Sequence, residues 1–255
     1  MSDPESSSNA LLFGPAISLS YDGADPSHLE TALPCLAERE LKATFYVTET
    51  GLLDSIAAWT VAQNEGHEIG CHSLFEAADA LGNLPKWTLE NVEADLREAR
   101  KLLTETFPHQ SDFSFAYPGV ETMCMTVPYD PSPTSYAPVV ERLFTVARSA
   151  RDGVIDPAHC DVMNLESIDA RDLTLDDLIV AAEHVMFENR WAIFAFRGIG
   201  AGEGAVDASS HTALCDWLAE HRGVVRTGTV FEIANEVRSR FSANTYSWSL
   251  GSSES

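Results

Sequence analysis

Lysine is nearly absent from this 255-residue chain: Lys42, Lys86 and Lys101 are the only ones, against 39 Asp and Glu, and the net charge is −23. A surface this acidic repels phosphate backbones, and no basic stripe interrupts it, which excludes nucleic acid and anionic membrane surfaces as partners. No apolar run approaches the roughly 18 residues of a membrane helix. The five cysteines (Cys35, Cys71, Cys124, Cys160, Cys215) are odd in number, widely spaced and contain no C-x-x-C. Reduced thiols and a cytoplasmic location follow as expectations. Met1–Ala10 has neither the basic start nor the apolar stretch of a secretory signal. The serine-hydrolase elbow G-x-S-x-G and the phosphate loop G-x-x-x-x-G-K are both missing. Nothing in the sequence speaks to oligomeric state.

What the chain does have is an ordinary globular interior, with 45% hydrophobic and 9% aromatic residues. One large domain is expected over residues 13–240, between a flexible N-terminus (1–12) and a flexible serine-rich tail (241–255). Strand-like segments are Ala16–Tyr21, Ala43–Val47, Glu68–Cys71, Phe113–Tyr117, Phe144–Arg148, Trp191–Phe196 and Val224–Arg226. Between them, Ser27–Glu40, Leu52–Glu65, Trp87–Phe107, Thr174–Glu188, Ser209–His221 and Val230–Arg240 read as helices. Residues Met123–Pro138 read as a proline-rich loop, too long for a mere connection, that shapes a pocket rim.

Strand–helix alternation with short links predicts a parallel sheet or barrel, whose chemistry gathers where strands end. The polar residues at those ends are Asp22, His72, Tyr117 and Arg197. Gly198–Gly202 also follows a strand, but no helix begins within those glycines, so the segment does not read as a dinucleotide fingerprint. His28 and His211 sit in first helical turns. His28 is expected at the surface, and His211 in a structural role. Cys71 should point to the face opposite His72, into packing.

The same segments resemble the polysaccharide deacetylases (NodB-like carbohydrate esterases). LSYDGADPSHL resembles the family's first motif, GHEIGCHSLFE its second, FAYPG its third, and WAIFAFRGIGAG its late strand motif. They occur in family order and cover about residues 15 to 235. The resemblance implies a distorted (β/α) barrel and removal of acetyl groups from amino sugars. One Asp and two His would hold a divalent metal, with a second Asp as general base and a late His as general acid.

Aligned to that pattern, Asp22 stands at the base position and Gly23 where a metal-binding Asp belongs. His72 matches the first metal His, Glu76 replaces the second, and Arg197 replaces the late acid. In a register one residue shorter, Asp22 instead joins His72 and Glu76 as a ligand set for a zinc-like ion. A guanidinium cannot donate a catalytic proton, so Arg197 is expected to neutralise Asp22 or Glu76, or to bind a ligand carboxylate. Tyr117 is a candidate whose backbone holds an oxyanion, and Pro118 and Gly119 are candidate substrate contacts. Two functions follow. One is a divergent carbohydrate deacetylase with a zinc-like metal or none. The other is a metal-free pseudoenzyme binding a saccharide or partner in the inherited groove. In either, the ligand is a small saccharide or acetylated amino sugar.

Overall fold

The structure is a computed structural model describing residues 13–75, 78–79, 82–125 and 132–245, with side chains to Phe241. The expected flexible ends fall largely outside these residues. The last helix nevertheless continues to Thr245, past the expected domain end at residue 240.

Thirteen strands occur among the described residues: β1 Ala16–Asp22, β2 Thr44–Val47, β3 Glu68–Cys71, β4 Leu84–Thr88, β5 Ser114–Ala116, β6 Met123–Met125, β7 Pro133–Ser135, β8 Val146–Arg148, β9 Ile168–Asp169, β10 Trp191–Phe196, β11 Gly198–Ile199, β12 Ala205–Val206 and β13 Arg226–Thr227. The main sheet runs β8-β5-β3-β2-β1-β10-β9, with β13 also on β1. Its pairings are parallel. The expected (β/α) barrel is therefore present, as a curled, mostly parallel sheet with helices outside. Every carboxyl end lies on one edge, and that edge builds the site. Strands β1 and β10 are buried on both faces, which is why they read as continuous apolar runs.

Local chemistry explains where prediction and structure part. Ser27–Glu40 is a π-turn, His28–Ala32, followed by a helix, Leu33–Glu38. Pro34 has no amide to return to the preceding turn, and the Leu33 amide reaches back five residues to the His28 carbonyl. Leu52–Glu65 is two helices, Glu49–Leu53 and Ile56–Asn64. Leu89–Thr106 begins where Thr88 caps the Asn91 amide and the Asn91 side chain returns the bond. Thr174 and Asp177 do the same for Leu175–Glu188.

The described residues of the expected rim loop at 123–138 carry two strands and the start of a helix. Met123–Met125 pairs with β4 and with Pro133–Ser135, and a short helix, Ala137–Leu143, follows.

Candidate functional site

Asp22 is the last residue of β1, His72 and Tyr117 follow β3 and β5, and Arg197 follows β10. Parallel pairing brings these four ends to one edge, as the alternation pattern implies. A fifth end completes the group. Arg148 closes β8 and is 1% exposed, and its Nη2 forms a short ion pair with Asp22 Oδ1.

Arg148 also lies 5.1 Å from the centre of the Tyr46 ring, so an aromatic face backs the cation. Its Nε has no hydrogen-bond partner among the described residues. Burial pushes the Asp22 carboxyl up, but Arg148, His72 and His28 outweigh that and hold it below its ordinary value. Asp22 is therefore an ionised, neutralised carboxylate.

Below this pair a polar line crosses the barrel. Ser114 donates to the Tyr46 hydroxyl at 3.2 Å and makes a short bond to Glu68. Glu68 also accepts from Thr44 Oγ1 at 2.7 Å and from the Phe231 amide at 2.9 Å. Burial raises the Glu68 pKa despite these donors.

His72 is 1% exposed and its Nδ1 lies 3.0 Å from the Ala116 carbonyl oxygen. Cys71, its neighbour, packs into the core on the other face. Glu76, the expected second metal donor and possible Arg197 partner, lies outside the described residues.

The Tyr117 amide donates to the Arg148 carbonyl at 2.8 Å. That bond to β8 engages the amide proposed for an oxyanion, and the buried ring packs edge-on against Phe115. Pro118 lines a small cleft of about 50 Å³ with Asp22, His72, Arg148 and Arg197. Gly119 does not line it; its carbonyl accepts from the Ala150 amide at 3.2 Å.

Beside this cleft is an open groove of about 570 Å³, lined by Asp22, Asp25, Glu30, Thr48, Arg197 and Glu203 among others. Asp22 and Arg197 belong to both spaces. Arg197 is an exposed residue, and its backbone carbonyl is 3.0 Å from His28 Nε2. His28 is fully buried, contrary to the surface position expected of it.

One half of the expected internal salt bridge thus has a different cation. Asp22 is met by Arg148, because β8 lies at the sheet edge and delivers its terminal side chain inward. The sequence signal for Arg148 is the one that finds the other four, a polar residue ending an apolar strand.

Among the described residues the donor set falls short of a hydrolytic metal site. Such zinc sites use three protein ligands. Here Asp22 and His72 are the donors among the described residues, Gly23 offers none, and the carboxylate already faces a buried guanidinium.

Residues 14–124 match the family model described as polysaccharide deacetylase. No curated protein matches the sequence. Among solved structures, a family 4 acetyl xylan esterase from Clostridium thermocellum, in complex with a cobalt ion, is similar at 16% identity and TM-score 0.56, over 86% of this chain and 89% of that one. The peptidoglycan deacetylase PdaC from Bacillus subtilis is 12% identical with TM-score 0.52, over 91% and 96%. A mutant of a CE4 family pseudoenzyme with restored enzymatic activity is 12% identical with TM-score 0.55, over 87% and 68%. These likenesses carry the fold of the polysaccharide deacetylases, and the sequence match to that family's model spans residues 14–124, somewhat under half of the chain.

Proposed function

We propose that the chain is a divergent carbohydrate deacetylase-like protein that binds an acetylated amino-sugar saccharide in the groove at Asp22 and Arg197 without the family's metal. The observation that carries this is the Asp22–Arg148 ion pair. A buried cation takes the charge-compensating role of a metal, and the guanidinium, unlike a metal, can neither acidify water nor accept a carbonyl oxygen as a Lewis acid. The groove is large enough for a sugar unit. In an acidic wall containing Asp25, Glu30 and Glu203, Arg197 supplies the positive group that fits a ligand carboxylate, as on a uronate. The acidic composition and the five free thiols support a cytoplasmic setting.

The test is calorimetric binding of acetylated amino-sugar oligomers to protein purified without chelators, with acetate release and metal content measured on the same sample. Binding without acetate or stoichiometric metal is expected, and Arg197→Gln should weaken it at least about tenfold, roughly 1.4 kcal/mol. Acetate release that follows metal content and vanishes in Glu76→Ala would overturn the reading in favour of an active hydrolase.

A further inference from the structure

Behind the groove, on the side of β1 away from Arg148, three soft donors converge. Cys35 comes from the helix Leu33–Glu38, and His211 and Cys215 lie one turn apart on the helix Ala208–Glu220. One donor atom from each falls within 4.8 Å of the other two. His211 and Cys215 are fully buried and Cys35 is 8% exposed.

We propose that Cys35, His211 and Cys215 form a binding site for a thiophilic, tetrahedral cation of the zinc class. An ideal zinc tetrahedron separates sulfur from nitrogen by about 3.6 Å and sulfur from sulfur by about 3.8 Å. Cys215 Sγ and His211 Nε2 are already 3.9 Å apart, so the site needs contraction, not rebuilding. His211 Nε2 lies 2.7 Å from the Tyr21 hydroxyl, and Nδ1 has no partner among the described residues. With the proton on Nδ1, the Nε2 lone pair accepts the Tyr21 phenol proton, with Cys215 Sγ 3.9 Å away. A metal would take that lone pair.

The charges balance as well. Arg39 Nη1 lies 3.4 Å from Cys35 Sγ, and its charge is matched by Asp216 at 2.7 Å. Metal entry would displace the thiol protons, leaving a divalent ion between two thiolates with the fourth position open to water. The site would clip the helix after β1 to the helix after β12. Tyr21, between them, is the residue immediately before Asp22. These three donors are different residues from the donor set at the strand ends, and the inference does not rest on the saccharide reading.

The test is a cobalt titration of full-length, reduced, chelator-stripped protein. One equivalent should bind with tetrahedral visible absorption and a thiolate-to-cobalt charge-transfer band, both displaced by zinc. Cys35→Ser and Cys215→Ser should lose affinity beyond the about 10–100-fold that an outer partner costs. Cys160→Ser should bind as the parent does. Because Cys215 is fully buried, a second readout uses the unsubstituted protein: zinc should slow alkylation of Cys35, but not of Cys160, by iodoacetamide. Cobalt binding without the sulfur band, unchanged alkylation, or a peroxide-driven Cys35–Cys215 disulfide with no zinc uptake by the reduced form would overturn the proposal.

Discussion

Asp22 and Arg148, 126 residues apart in sequence, form a short ion pair at the carboxyl edge of the barrel with the guanidinium almost fully buried. Two charges are thereby fixed at the end of the strand where the family's chemistry is expected.

Removing one partner should cost more than removing both. Arg148→Met leaves a part-buried carboxylate without its buried partner and should destabilise by about 3–5 kcal/mol. The pair Asp22→Asn with Arg148→Met should recover most of that loss. Urea unfolding of Asp22→Asn, Arg148→Met and the double variant checks it, and equal destabilisation by all three would contradict a coupled pair.

Restoring a carboxylate next to Asp22 should not by itself restore a metal site. Gly23 has φ +85°, so Gly23→Asp carries roughly 1–2 kcal/mol of left-handed strain, and Arg148 still repels an incoming cation. Manganese, a hard ion that thiolates hold poorly, should bind the variant no better than the parent by spin-resonance titration. Adding Arg148→Ala should be needed before any gain.

Stability should fall as the solution is acidified from pH 6.5 to about 4. Burial lowers the His28 pKa to about 4, and burial with Lys42 does the same to His67. A depressed base contributes stability that is complete above its unfolded value, near 6.5, and lost as pH drops through the folded value. For fully buried His28 the loss is at most about 3 kcal/mol. His28→Gln, whose amide can still donate to the Arg197 carbonyl, should flatten this part of the unfolding-versus-pH curve.

Asp95 should act in the opposite direction. Burial, with Glu49 nearby, raises its pKa to about 6 although the Leu74 amide donates to it. Its favourable term is complete below the unfolded value near 4 and is lost as pH rises through 6. Asp95→Asn should therefore stabilise at pH 8 by on the order of 1–2 kcal/mol after allowance for screening. The gain should disappear below pH 4 in thermal denaturation.

The architecture was legible because strand and helix patterns alternate cleanly and because polar residues end apolar strands. That rule places Asp22, His72, Tyr117 and Arg197 correctly at one edge. It applies equally to Arg148, whose role depends on β8 lying at the sheet's edge and is invisible in a linear pattern. The π-turn escapes a 3.6-residue periodicity because one proline changes the hydrogen-bond count. His28 escapes because a single polar side chain in a first turn reads as exposed until its partner, the carbonyl of Arg197, is known. The cysteine–histidine cluster joins positions 35 and 211–215, and no local spacing announces it.

The line from Tyr46 through Ser114 to Glu68 ends on the Phe231 amide, at the start of the last helix. Thr44 likewise accepts from the Val230 amide at 2.9 Å, and β13 pairs with β1 at Ala16 and Ile17. During synthesis, the first two strands therefore wait for residues about 180 positions later before their buried acceptors are met. A ribosome-bound chain lacking the last helix holds an open barrel with an uncapped Glu68 at its base. Its closing is a late, non-local event, the kind of step that sets a slow folding rate and leaves sheet edges exposed meanwhile.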